Sequence, residues 1–163
     1  MNKEIRENNP RHAPPKGHNT NKQELLYDPN VATSTHAEQA QSLAKKMPTG
    51  TLCTMSVEPS GYPYGSFVAY AMYNGNPIFL ISRLAVHTKN LQENSKASLL
   101  ISENGEGNPL ALGRVTLVGE CTIIAEEERE DAKQEFISIH ESASFYVDFK
   151  DFDFYCLKVE HIR

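Results

Sequence analysis

Residues 77–102 read PIFLISRLAVHTKNLQENSKASLLIS. Four pieces follow one another. The run IFLI at 78–81 is short, unbroken, apolar and rich in β-branched and aromatic residues, the pattern of a buried strand. Ser82 and Arg83 end it. After a short turn, His87, Thr88 and Lys89 open a polar, helix-compatible segment that reaches residue 94, and 97–101 reads as a second buried strand. A helix start carries unpaired N–H groups and a partial positive charge. Arg83, Lys89 and the hydroxyls of Ser82 and Thr88 beside such a start suit a phosphate. No other stretch gathers as many phosphate-competent groups. Arg83 and Lys89 read equally well as solvated surface charges.

Strands flank this core on both sides. Residues 65–73 form a strand, and Asn74-Gly75 is a hairpin turn leading back into 78–81. Earlier, residues 51–57 alternate, Cys53, Met55 and Val57 against Leu52, Thr54 and Ser56, and Glu58-Pro59-Ser60-Gly61 is a turn. Before them, Thr35 and Glu38 have capping-box spacing, and Ala37, Ala40, Leu43, Ala44 and Met47 share one helical face until Pro48 and Gly50 stop the helix. On the C-terminal side, ENGEGN lacks the lysine and spacing of a phosphate loop and reads as a plain turn. Residues 112–124 are a long strand whose length predicts a bend at Gly119. A helix at about 126–140, opened by three glutamates, has Ala132, Phe136 and Ile139 on its apolar face. The aromatic and acidic segment SFYVDFKDFDF reads as a loop whose rings cover one end of a barrel, and 155–162 is the last strand. Six short alternating strands with hairpin-like connections predict a mainly β fold, a six-stranded antiparallel barrel with a few helices.

The remaining composition narrows the function. The chain of 163 residues fits one domain. Residues 1–30 are rich in Pro, Asn, Lys and Glu and poor in apolar groups, so they read as a disordered arm, with the barrel domain at 31–163. A net charge of −5, with no Lys/Arg run, argues against a nucleic-acid binder. No apolar stretch approaches membrane-spanning length, and the N-terminus lacks the apolar core of a signal peptide. Cys53, Cys121 and Cys156 are odd in number, lie in strands and form no CxxC pair, so they read as sheet residues in a reducing, cytoplasmic compartment, with no metal site.

The order GTLCTMS, GYPYGSFVAYA, LISRLAVHTKNLQENSKASLLIS, LALGRVTLVGECTII resembles the pyridoxamine 5′-phosphate oxidase-like FMN-binding split-barrel superfamily. Within it, LISRLAVHTKNL followed by NPLALGRVTLVG is most similar to the branch of bacterial haem-utilisation proteins and plastid glutamyl-tRNA-reductase-binding proteins. The resemblance covers about 35–162. It implies a homodimer with flavin sites at the subunit interface. It implies that Ser66 on the second strand, with Ser82, Arg83, His87, Thr88 and Lys89 after the third, holds the FMN phosphate. The chain departs from the oxidases. They carry an arginine where Ser66 stands and an adjacent Arg-Lys pair near Val86 and His87, and their C-terminal substrate motif has no match here. Pyridoxamine phosphate oxidation is therefore not expected, and no catalytic residue is assigned. Haem-degrading relatives take a ligating histidine from a region beyond the last strand, so no residue here inherits that role. The resemblance implies an FMN-binding, redox-active flavoprotein. The alternative it leaves open is a non-enzymatic protein that binds haem or regulates the tetrapyrrole pathway.

Overall fold

A computed structural model describes residues 34–163. The arm expected at 1–30 and the boundary at 31 lie outside the described residues. Helix α1 (His36–Lys46) leads into strands β1 (Thr49–Met55), β2 (Pro63–Ala69), β3 (Ala71–Tyr73) and β4 (Asn76–Ser82). Helix α2 (Val86–Glu93), strands β5 (Lys96–Ser102) and β6 (Arg114–Ile123), helix α3 (Arg129–Ile139) and strand β7 (Phe152–Ile162) complete the order. All pairings are antiparallel, in the spatial order β2-β1-β5-β6-β7-β4-β3.

There are seven strands, not six, because the strand expected at 65–73 breaks at Tyr70. The two halves serve opposite edges of the sheet. β2 pairs with β1, and β3 pairs with β4. Since the first and last strands of the order are joined through Tyr70 alone, the sheet must curl until its edges meet at that corner, which is the split-barrel architecture. Tyr70 is tied down in three ways. Its N–H donates to the Pro48 carbonyl at 3.0 Å, its hydroxyl to the Ala44 carbonyl at 2.8 Å, and its own carbonyl lies 2.9 Å from His140 Nε2. Both long helices are thereby anchored to one residue.

β4 is the buried strand its composition predicts. Phe79 and Ile81 point into the barrel with Leu52, Leu99, Leu117 and Leu157. Ile78 and Leu80 point outward and are covered by Ala132 and Phe136 of α3, with Phe154 and Val147. The SFYVDFKDFDF segment therefore does not close a barrel end as expected. Part of it is already β7, and its buried rings pack beneath α3 on the outer face of β4. The bend in β6 falls where expected, with a register shift between Val118 and Gly119. A Cβ on Gly119 would overlap the Lys158 carbonyl oxygen.

Candidate functional site

The turn from β4 into α2 carries five of the six residues expected to hold a phosphate. β4 pairs with β7 in a register that sets Ser82 opposite Phe152 and places Asp151 and Asp153 beside the turn. Ser82 Oγ donates to Asp151 Oδ2 at 3.1 Å and accepts from the Leu84 N–H at 3.1 Å. The Arg83 N–H donates to the Asp151 carbonyl at 2.7 Å. Inside the turn, the Thr88 hydroxyl donates to the Ser82 carbonyl at 2.7 Å, and Thr88 is fully buried. Its single proton is therefore spent within the protein. Asn90, two residues further along α2, is also buried. It donates to Thr54 Oγ1 and accepts from the Val57 N–H, each at 3.0 Å, and so bolts α2 to β1.

The Arg83 guanidinium forks onto the Asp153 carboxylate, Nη2 reaching Oδ1 at 2.9 Å and Nε reaching Oδ2. The bonds from Arg83 hold the Asp153 carboxyl below the usual carboxylate range, against the opposing effect of burial. The arginine side chain remains 57% exposed while the aspartate is 12% exposed, so the pair neutralises charge at the mouth of the turn without removing Arg83 from solvent. Lys89 is exposed and pairs with no carboxylate among the described residues. His87 is half-buried, and burial lowers its imidazole pKa. Ser66 stands apart on β2, opposite Leu52 in the ladder, half-buried on the barrel side. Next to Arg83 is an open depression of about 420 Å³, in which Arg129 and Lys150 face Glu126, Asp148 and Asp153. Mixed signs of charge make it a poor anion trap. Asp151 and Asp153, the residues that organise the turn, were visible in the sequence only as acids within DFKDFDF. Their partnership with Ser82 and Arg83 depends on the β4–β7 register.

Comparison with known proteins agrees with the fold. The family described as CREG, beta-barrel matches residues 31–163. A non-canonical chloroplastic haem oxygenase, HOZ, of Arabidopsis thaliana is 33% identical over 138 residues, which is 84% of this chain and 42% of that protein. The structure of a haem-binding protein from Mycobacterium smegmatis superposes with a TM-score of 0.76 at 34% identity, covering 82% of this chain and 55% of that one. A protein of unknown function from Agrobacterium tumefaciens superposes with a TM-score of 0.73 at 27% identity, covering 84% and 59%. The chain thus spans about half the length of the relatives it matches. With the curled seven-stranded sheet and a match that runs from residue 31 to residue 163, the chain belongs to the CREG β-barrel family.

Proposed function

We propose that the protein is a haem-binding split-barrel protein. The observation that carries this reading over a flavin is the commitment of the turn's donors: Arg83 is forked onto Asp153 and the Thr88 proton is given to Ser82. A phosphate needs such donors, whereas haem is held by apolar contact, carboxylate pairing and an iron ligand. The likeness to a haem-binding protein and to a haem oxygenase supports the same ligand. When bound, haem supplies the redox and oxygen chemistry, and the protein supplies binding and orientation.

FMN is the second reading. Exposed Lys89 and the outer edge of the Arg83 guanidinium favour it, and Ser66, Ser82 and His87 complete the set of residues it would use. A second copy of the chain is the proposed partner in either case. Phe67, 79% exposed, and half-open Leu100 flank Thr51 on the outer face of β2, β1 and β5, where another barrel would cover them. No helix among the described residues is long and apolar enough to cross a membrane, and the three free thiols fit a reducing compartment such as the cytoplasm. The absorbance of protein purified from haem-supplied cells tests the proposal. A Soret band is expected. Flavin bands, or a colourless protein, would overturn it.

A further inference from the structure

Helix α1 lies against the start of β6, and the end of β7 runs beside them. Between these elements is an open groove of about 780 Å³, within the roughly 300–1,000 Å³ of small-molecule sites. Its floor is apolar, built from Ala40 and Leu43 of α1, Val115 of β6 and Ile162 of β7. Its rim carries Arg114 and Arg163. Neither pairs with a carboxylate among the described residues. Arg114 Nη1 reaches only the Leu110 carbonyl, at 3.4 Å, and Arg163 Nη1 the carbonyl of neighbouring Ile162, at 3.0 Å. The Arg163 backbone is clamped to Thr116 by two hydrogen bonds of 2.8 and 2.9 Å, which fixes where its side chain starts. Lys46, the third cation on the rim, is already used by Glu103 at 2.9 Å. His36, on the first turn of α1, also borders the groove.

An apolar floor, two guanidinia without carboxylates and one imidazole match a planar apolar ring with two carboxylates and a Lewis-acidic metal. We infer that this groove, and not the β4–α2 turn, is where the tetrapyrrole sits. Leu43, Val115 and Ile162 would supply the apolar contact, Arg114 and Arg163 would pair with the carboxylates, and His36 would offer a nitrogen to the metal. The inference rests on the haem reading above. It assigns that ligand a groove lined by none of the cofactor residues that the sequence singled out.

Haem and metal-free protoporphyrin IX titrations, followed by absorbance and fluorescence, separate the two claims. The Arg114→Ala/Arg163→Ala double variant should bind both ligands at least about tenfold more weakly than wild type, since each lost pairing with a carboxylate is worth about that factor. Both side chains are exposed, so circular dichroism and melting should not change. His36→Ala should shift the Soret band of the haem complex and leave protoporphyrin binding unchanged. Wild-type-like binding by the double variant, or its loss in Arg83→Ala instead, would remove the groove while leaving the haem reading in place. A wild-type protein that binds neither ligand would remove both.

Discussion

Tyr70→Phe removes one oxygen atom from the corner where the two edges of the sheet meet. In a continuing helix the Ala44 carbonyl would accept from the N–H four residues on. That residue is Pro48, which has none. The Tyr70 hydroxyl takes its place at 2.8 Å. Both residues are shut away from water, Tyr70 at 1% and Ala44 at 2% exposure. Burial also holds the Tyr70 phenol far above its ordinary pKa, so it remains a donor throughout the neutral and mildly alkaline range. Phenylalanine keeps the ring and its packing but leaves a buried carbonyl without a partner, at a cost of about 1–3 kcal/mol. With a urea m-value of about 1.5 kcal/mol/M, the midpoint should fall by roughly 0.7–2 M. Urea unfolding followed by far-ultraviolet circular dichroism measures it. Tyr70→Leu should cost more, because ring contacts go as well. A Tyr70→Phe midpoint within about 0.2 M of wild type, with m unchanged, would refute the idea that this hydroxyl holds α1 to the barrel.

Three further outcomes follow from single positions. Gly119→Ala forces a methyl group onto the Lys158 backbone at the bulge, so it should destabilise by about 1–3 kcal/mol or more in the same assay, against a neutral result if the β6–β7 register simply slides. Burial lowers the His87 pKa, so the folded state favours the neutral ring; the stability this confers is present above about pH 6.5 and is lost as pH falls towards the lower folded value. His87→Gln should flatten that part of a melting-temperature profile, and an unchanged slope would count against it. Asp153 has a depressed pKa for a different reason, its bonds from Arg83, and its contribution is present above about pH 3.9 and lost as pH falls through the folded value. Asp153→Asn should therefore melt lower near neutrality and lose less on acidification, and an Asn variant as stable as wild type at pH 7 would show the pair to be decorative.

Local signals were legible wherever a few adjacent residues decide the conformation. Thr35 and Glu38 form the reciprocal capping box their spacing predicts, the Thr35 N–H reaching Glu38 Oε2 at 2.7 Å and the Glu38 N–H reaching Thr35 Oγ1 at 3.2 Å. Asn74 and Gly75 both have positive φ, 49° and 79°, as the hairpin turn requires. β4 is buried on both faces, as an unbroken apolar run should be. What was not legible depended on distant chain. Nothing between residues 65 and 73 breaks strand pattern; Tyr70 interrupts it because two sheet edges and two helix ends converge there. Arg83 and Asp153 lie 70 residues apart, and only the β4–β7 pairing brings them together. In β1 the more polar alternate set turns inward. Leu52 and Thr54, and Ser56 just beyond the strand, are buried, while Met55 and Val57 are exposed; Asn90 supplies Thr54 with a partner, whereas the Ser56 hydroxyl has none among the described residues. The apolarity of a short strand could not reveal that choice. The groove beside α1 was invisible for the same reason, since its lining comes from α1, β6 and the last residues of β7.

A tetrapyrrole, and not a flavin phosphate, is the ligand proposed for this barrel. Titrating the purified wild-type protein with haem and, separately, with FMN tests it most directly, with Arg83→Ala alongside. Saturable haem binding at or below roughly tens of micromolar is expected, with FMN binding absent or far weaker. Arg83→Ala should leave the haem isotherm unchanged. Tight FMN binding that is lost in Arg83→Ala, with no haem isotherm, would contradict the account and return the site to the β4–α2 turn.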